Sequence, residues 1–206
     1  MKQLYFVRHG QTLWNAIHRM QGQLNSDLSK LGRSQANING ELLAKHGIEA
    51  LISSPLGRTT QTAEIINKHL NLSIRFDERI KEWDCGDWSG HLFDEVRKKW
   101  PKEWQAFETD RFHYRGPNCE NMPDMIARTQ PFLSELTQHT ATNIAIVSHG
   151  LIGKIMVSML LKLDAQQTLE FGQSNDVILR VTIDNDQATA THFINGKGPF
   201  DGHQSK

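Results

Sequence analysis

The chain has 206 residues, 38% of them hydrophobic, which is enough to bury a substantial core, and its length predicts a single domain over residues 1–206. Its 23 basic residues equal its 23 acidic residues, and this balance argues against nucleic acid or an anionic membrane surface as a partner. Any anion site must therefore be local.

Targeting and metal signals are both missing from the sequence. No apolar run reaches membrane-spanning length, and the first strand begins without a preceding signal segment, so we expect a cytoplasmic protein. Cys85 and Cys119 lack the spacing of a zinc site or a redox pair and are expected to be free thiols. None of the ten histidines falls in an HExxH motif, and we predict neither a metal nor a cofactor.

The first predicted strand, residues 4–7, is apolar and stops abruptly at Arg8, His9 and Gly10. In open α/β sheets, ligands bind at the carboxyl ends of strands, so Arg8 and His9 lie where a site is expected. Asn15 follows shortly after and adds a neutral hydrogen-bonding group.

A polar loop over residues 18–27 comes next and contains Gln21 and Gly22. It leads into a helix for which Ser29 is the predicted N-cap and Gly47 the predicted end.

A second strand is predicted over residues 49–53 and a third over residues 73–76. Arg58 follows the second strand, close to the start of another helix. Exposed amides and the helix dipole favour an anion at such a position.

The segment EWDCGDWSG, residues 82–90, mixes carboxylates with tryptophans and glycines. Desolvation beside indole rings can raise the pKa of a carboxyl group, as a general acid at neutral pH requires. The pattern alone does not choose among four candidates, which are Glu78, Glu82, Asp84 and Asp87.

A helical cap is predicted over about residues 91–140. Its first part, residues 91–110, is charged and is interrupted at Pro101, and a longer amphipathic helix covers residues 122–139. Its basic side chains either hold an anionic part of a substrate or form a solvated face, and their pattern favours the solvated face: Arg97, Lys98, Lys99, Arg111 and Arg115.

Residues 143–147 form the clearest strand, because their apolar run is continuous as in a buried central strand. The run ends at Ser148, His149 and Gly150, and an apolar helix over residues 151–163 follows at once.

The last predicted elements are two strands, residues 177–183 and 188–194, which form a hairpin about Asn185 and Asp186. The remaining segment, residues 196–206, is predicted to be a mobile tail.

Two strands thus end in His-Gly, and a third is followed by an arginine. Because parallel strands end on one side of a sheet, Arg8, His9, Arg58 and His149 are expected to converge. Arginine presents a planar donor fork that suits a phosphoryl group or a carboxylate, and histidine can be a nucleophile toward phosphorus. Neither a GxxxxGK[ST] phosphate loop nor a GxSxG elbow is present.

Five segments, VRHGQTLWN, QGQLNSDLSKLGRSQA, SSPLGRTTQTA, EWDCGDWSG and VSHG, together resemble the histidine phosphatase superfamily, in its phosphoglycerate mutase-like branch. The resemblance implies an α/β fold, a three-layer α/β/α sandwich with a mostly parallel central sheet. It also implies catalysis through a phosphohistidine, with no metal and no cofactor.

The same resemblance implies a role for each matching residue. His9 matches the nucleophile, Glu82 the acid, and Arg8, Arg58 and His149 the phosphate pocket. The remaining matches are substrate-binding: Asn15, which contacts the phosphoryl group, Gln21 and Gly22, which border the substrate, and Gly150, which closes the VSHG motif.

These matches predict a phosphomonoesterase that acts on a small phosphorylated metabolite. The alternatives are a phosphoglycerate mutase-type phosphoryl transfer and a catalytically silent phosphate-binding module. The chain departs from the family where a GGE[ST] segment is common, since residues 118–121 read NCEN, and this departure affects the shape of the substrate pocket. A sugar phosphate, a phosphoglycerate-like acid and a nucleoside-type substrate such as α-ribazole phosphate all fit the pattern.

Overall fold

One mixed sheet runs through the centre of the protein, whose computed structural model describes residues 1–185 and 187–202. Its strands are β1 (Lys2–Arg8), β2 (Ala50–Ser53), β3 (Ile74–Phe76), β4 (Asn143–Ser148), β5 (Val177–Asp184), β6 (Gln187–Ile194) and β7 (Lys197–Asp201). Among the described residues, the spatial order is β3-β2-β4-β1-β5-β6-β7, and only β5 and β7 run against the other strands. The sheet is therefore mostly parallel by strand direction, as predicted.

Helices follow most of the strands. They are α1 (Leu13–Ala16), α2 (Lys30–Leu43), α3 (Gly57–Leu70), α4 (Phe93–Lys99), α5 (Pro101–Thr109), α6 (Met122–Gln138), α7 (Gly150–Leu161) and α8 (Ala165–Glu170), with 3₁₀ turns at Ala44–His46, Glu78–Ile80 and Gly86–Trp88. The Ser29 side chain accepts a hydrogen bond from the Gly32 amide, which confirms the predicted N-cap of α2. Across the described part of the chain, no helix is both long and apolar enough to span a bilayer.

Successive side chains of β1 enter opposite layers of the core. Leu4 and Phe6 are buried in a cluster with side chains of α6 and α7. Tyr5 and Val7 are buried in a second cluster, with side chains of α2 and α3. Because both faces of the strand are covered, its apolar run is continuous rather than alternating. This arrangement confirms the three-layer α/β/α sandwich.

The cap is shorter than the sequence suggested. α4 and α5 pack around a small cluster of their own that includes Trp88, Trp104, Cys85 and Cys119. Both cysteines are free and buried there. By contrast, α6 lies against the main core, where its Phe132 and Leu136 are buried with the sheet residues. The predicted cap over about 91–140 is therefore wrong for α6, whose amphipathic pattern reflects contact with the sheet.

The segment predicted as a mobile tail, residues 196–206, contains the edge strand β7, which pairs antiparallel with β6. Its KGPFD sequence resembles a loop, but proline is tolerated at a sheet edge, where its missing N–H is not needed. The prediction is therefore wrong for Lys197–Asp201. Residues 203–206 lie outside the described part of the chain, as does Asp186 in the predicted hairpin turn.

Candidate active site

Two histidines meet where β1 and β4 end. The strands are parallel neighbours with Arg8 opposite Ser148, and the His9 amide donates to the Ser148 carbonyl at 3.0 Å. The next residue after β4 is His149, and its ring centroid lies 5.3 Å from that of His9. The shared strand ending therefore places both imidazoles in one site.

Hydrogen bonds define which nitrogen of His9 carries the proton. Nδ1 lies 2.8 Å from the Gly10 carbonyl oxygen, which can only accept, and Nε2 lies 3.2 Å from Nε of Arg58, which can only donate. Nδ1 is therefore the protonated nitrogen, and Nε2 keeps its lone pair. Burial, with Arg58 and Arg8 nearby, holds the His9 pKa well below 6.5. His9 is thus neutral at pH 7, which is the form that can attack an electrophile.

His149 is in ring contact with His9 and is fully buried. Its Nε2 forms a 2.8 Å hydrogen bond with the Ser54 hydroxyl, whereas its Nδ1 has no partner among the described residues. Burial is the main cause that lowers the His149 pKa well below 6.5, and the nearby Arg58, His9 and Arg8 lower it further. A buried ring nitrogen without a partner is available to a ligand.

Arg8 also has a buried nitrogen without a hydrogen-bond partner among the described residues. Its Nη1 donates to the Gln173 carbonyl at 2.7 Å, but its buried Nε has no partner within the described residues. A Cβ added at Gly150 would lie 3.2 Å from Cζ and Nε of Arg8, so glycine lets the guanidinium lie against the start of α7. Gly150, predicted to bind substrate, thus contacts Arg8. A buried cationic donor without a partner suits a phosphoryl oxygen.

The guanidinium of Arg58 is committed to protein groups. Its Nη1 donates to the Leu24 carbonyl at 2.6 Å, its Nη2 to the Gly22 carbonyl at 2.7 Å, and its Nε to His9. The sequence suggested a fork open to phosphate, but the buried loop carbonyls need donors and Arg58 supplies them. Burial lowers the Arg58 pKa to about 10. Arg58 therefore holds both His9 and the loop beside it.

Glu82 is bound to the first turn of α7. Its Oε1 accepts from the amides of Trp83 at 2.9 Å and Ile152 at 3.1 Å, and its Oε2 accepts from Leu151 at 3.2 Å. Amides at a helix N-terminus have no intrahelical partner and attract a carboxylate. Glu82 also lines the same cavity as His9.

The other three acid candidates are engaged away from His9. Asp84 accepts from the Gly86 amide at 3.0 Å, Asp87 accepts from the Asn118 side chain at 3.0 Å, and Glu78 forms an ion pair with Lys81 at 2.8 Å. Among the four candidates, the geometry favours Glu82.

The cavity beside His9 has a volume of about 390 Å³. Seven of the nine predicted residues line it, and His149 and Gly150 do not; the seven are Arg8, His9, Asn15, Gln21, Gly22, Arg58 and Glu82. Asn15 Oδ1 accepts from the Thr12 amide at 3.1 Å and so completes the capping box of α1, in which Thr12 is the N-cap. Gln21 Oε1 accepts from the Thr12 hydroxyl at 3.1 Å, and Gly22 has a left-handed φ of 52° that an L side chain would strain.

The residues of the site that the sequence reasoning missed include three polar ones that contact predicted site residues. Asn175 lines the cavity and donates to the His9 carbonyl at 2.7 Å, Gln173 accepts from Arg8, and Ser54 contacts His149. Ser54 directly follows β2, so the strand-end rule could have found it. Asn175 and Gln173 precede β5, whose antiparallel pairing with β1 brings its start to the same edge of the sheet.

The basic residues of the cap mostly pair with neighbours on the protein. Arg97 bonds to Asp94 at 2.9 Å and Arg115 to Asp124 at 2.6 Å, which agrees with a solvated face. Arg111 lines a second cavity of about 170 Å³, which shares Trp83 and Leu151 with the cavity beside His9.

Relatives match this chain over most of its length. It is 33% identical to phosphoserine phosphatase 1 of Hydrogenobacter thermophilus over 176 residues, which are 85% of this chain and 83% of the relative. It is 35% identical to the probable phosphoglycerate mutase GpmB of Salmonella arizonae over 200 residues, 94% of this chain and 91% of the relative.

Solved structures also match this chain over most of its length. A mycobacterial glucosyl-3-phosphoglycerate phosphatase has a TM-score of 0.83 at 29% identity and covers 92% of this chain and 97% of its own. The α-ribazole phosphatase of Shigella flexneri shares the fold, with a TM-score of 0.87 at 22% identity over 98% of this chain and 100% of its own. The family match extends over residues 4–196, and the chain belongs to the histidine phosphatase superfamily (branch 1).

Proposed function

We propose that the protein is a phosphomonoesterase that hydrolyses a small phosphorylated metabolite through a phosphohistidine on His9. The observation that carries this proposal is the neutral His9, whose unprotonated Nε2 lies at a cavity wall beside Arg8. Both unpartnered nitrogens, Nε of Arg8 and Nδ1 of His149, belong to the same site. Such groups can stabilise the negative charge on the equatorial oxygens of a phosphoryl group during its transfer.

The reaction has two displacements at phosphorus. In the first, Nε2 of His9 attacks the phosphorus, the bond to the ester oxygen breaks, and Glu82 gives a proton to the departing alkoxide. In the second, water attacks the phosphohistidine while Glu82, now ionised, accepts a proton from it. Inorganic phosphate leaves, and His9 is neutral again. These roles need no metal.

A mutase is the second candidate, and the 35% identity to a probable phosphoglycerate mutase favours it. A mutase would return the phosphoryl group from His9 to a different hydroxyl before water enters. A panel of phosphomonoesters assayed with a chelator separates the two, since a phosphatase releases inorganic phosphate and a mutase yields an isomer. No turnover of any substrate would indicate a silent phosphate-binding module.

Trapping the intermediate tests the proposal directly. Enzyme mixed with labelled substrate and quenched in denaturant at alkaline pH should carry acid-labile, base-stable phosphate on His9. His9→Ala should abolish labelling and turnover while the protein stays folded, because the substitution removes the nucleophile and leaves the strand core intact. Label on His149, or no label despite rapid quenching of a turning-over enzyme, would contradict the assignment.

A further inference from the structure

Glu82 lies in a segment with little regular structure. The 3₁₀ turn Glu78–Ile80 precedes it and the turn Gly86–Trp88 follows, so neither a helix nor a strand holds residues 81–85. A leaving-group acid must be placed to within a fraction of an ångström, because a misplacement of about 1 Å can cost about 10²-fold in rate. Contacts from elsewhere must therefore hold this segment.

Arg128 of α6 supplies contacts on the chain around the acid. Its Nη1 donates to the carbonyls of Arg79 at 2.7 Å and Lys81 at 3.0 Å. Its Nη2 donates to the carbonyl of Glu82 itself at 3.4 Å. One guanidinium thus binds three backbone carbonyls that lead up to the acid.

Glu120 holds both Arg128 and the chain after the acid. Its carboxylate accepts from Nε and Nη2 of Arg128, each at 2.8 Å, in a two-bond pair. The same carboxylate accepts from the Asp84 amide at 2.9 Å, and the Glu120 amide donates back to the Asp84 carbonyl at 2.9 Å. The Glu120 carbonyl accepts from the indole of Trp83 at 2.6 Å. The residues on each side of Glu82 are therefore held by one ion pair.

The pair is well shielded, since the side chains of Arg128 and Glu120 are 21% and 20% exposed. A planar guanidinium with two parallel bonds to a carboxylate is geometrically restrictive, and lysine does not reproduce it. Neither side chain lines the cavity beside His9, as far as the described residues show. The hydrogen bonds of the pair therefore reach the site through the Glu82 segment, and the positive charge of Arg128 also lowers the pKa of the buried His149.

We infer that Arg128 and Glu120 are positioning residues that hold Glu82 at the leaving-group side of the cavity. The inference rests on the proposed function, because it takes Glu82 as the acid. It also assigns a role to Glu120, the Glu of the NCEN segment, and this role does not depend on the other three residues of that segment.

Leaving-group dependence tests this inference. An alkyl phosphate departs as a basic alkoxide and needs the acid, whereas 4-nitrophenolate departs readily without a proton. Single-turnover rates of His9 phosphorylation should fall about 10²-fold with Arg128→Met for the alkyl substrate and less than about threefold for the aryl one. Glu120→Gln should show the same selectivity. The inhibition constant of inorganic phosphate should not change.

The control variant is Arg115→Met. It removes an arginine that pairs at 2.6 Å with Asp124, a residue of α6 like Arg128, and it is expected to leave both rates unchanged. A second comparison repeats Arg128→Met in a Glu82→Gln background. If Arg128 acts through Glu82, the added substitution should have little further effect on the alkyl substrate. If Arg128→Met does not fold, Arg128→Lys should show a smaller but equally selective loss.

Two failures are distinguishable. If Glu82→Gln slows both substrates equally, Glu82 is not the leaving-group acid and the proposed function needs another. If Glu82→Gln is selective but the Arg128 variants slow both substrates equally, and do so again in the Glu82→Gln background, the pair only stabilises the fold and the inference is overturned.

Discussion

A single side chain, Arg58, connects His9 to the loop that borders the cavity. Its Nε donates to Nε2 of His9, the proposed nucleophile, at 3.2 Å, and its two terminal nitrogens bind the Leu24 and Gly22 carbonyls. The residue is 1% exposed, so water does not replace these bonds. Its function is therefore geometric as well as electrostatic.

Arg58→Lys should consequently behave as a severe change. Lysine keeps the charge but cannot span His9 and two carbonyls, and a hydrogen bond to a charged group contributes about 1.5–3 kcal/mol. We expect kcat/KM to fall about 10- to 100-fold and the free energy of unfolding to fall by about 1–3 kcal/mol. Steady-state kinetics and urea unfolding measure the two effects. Exposed Arg33→Lys is the control. An unchanged kcat/KM would mean that Arg58 does not hold the nucleophile.

At the scale of elements, α2 and the loop after β1 approach each other through two glycines. A Cβ added at Gly32 would overlap the carbonyl oxygen of Gln11, and one added at Gly10 would overlap the carbonyl oxygen of Gly32. Because both neighbours are backbone atoms, neither can move aside as a side chain could. The helix is thereby pressed against the segment that carries His9.

Gly32→Ala should therefore weaken both stability and activity. Forced overpacking typically costs about 1–3 kcal/mol, and here the displaced backbone belongs to Gln11, two residues after His9. We expect lower thermal stability and lower kcat in the same variant. Gly40→Ala in the same helix is the matched comparison, since the added Cβ would overlap only the His69 ring, which can rotate, and would lie 3.1 Å from the nearest backbone atom, Cα of Ile66. Equal stability of the two variants would contradict this packing argument.

Sequence reasoning succeeded where a residue's place follows from the element before it. His9 and His149 each come directly after an apolar strand, and parallel pairing brings them together. It did not reveal the partners of Arg58 or the support given by Arg128, because these are backbone carbonyls of irregular segments and carry no side-chain signature. Asn175 required knowledge that β5 is antiparallel to β1, which its sequence does not encode.

For the whole molecule, the two buried imidazoles link stability to pH. Their pKa values are well below 6.5 in the folded protein, mainly through burial, whereas an unfolded histidine titrates near 6.5. Below pH 6.5 the unfolded chain therefore binds more protons, and the stability of the fold decreases as the pH falls. Each imidazole contributes a slope of up to about 1.4 kcal/mol per pH unit.

We expect the free energy of unfolding to fall between pH 6.5 and 5.5. His9→Gln should make this fall smaller by up to about 1.4 kcal/mol, the most that one imidazole contributes over one pH unit. Urea unfolding of both proteins at pH 7.5, 6.5 and 5.5 measures the difference, and titrating carboxylates cancel in the comparison. A wild-type stability that rises as the pH falls below 6.5 would contradict the neutral state of the buried pair.

The position of β1 in the sheet also determines when the candidate site can form during synthesis of the chain. β1 leaves the ribosome before the other strands of the sheet, and both of its neighbours, β4 and β5, are translated far later. Until then an apolar strand has both edges unpaired, which is the condition that favours aggregation and attracts chaperones. His149 and the amides that bind Glu82 are also translated late. A nascent chain thus carries His9 long before the rest of the candidate site, and ribosome-bound fragments that end before β4 lack both His149 and the amides that bind Glu82.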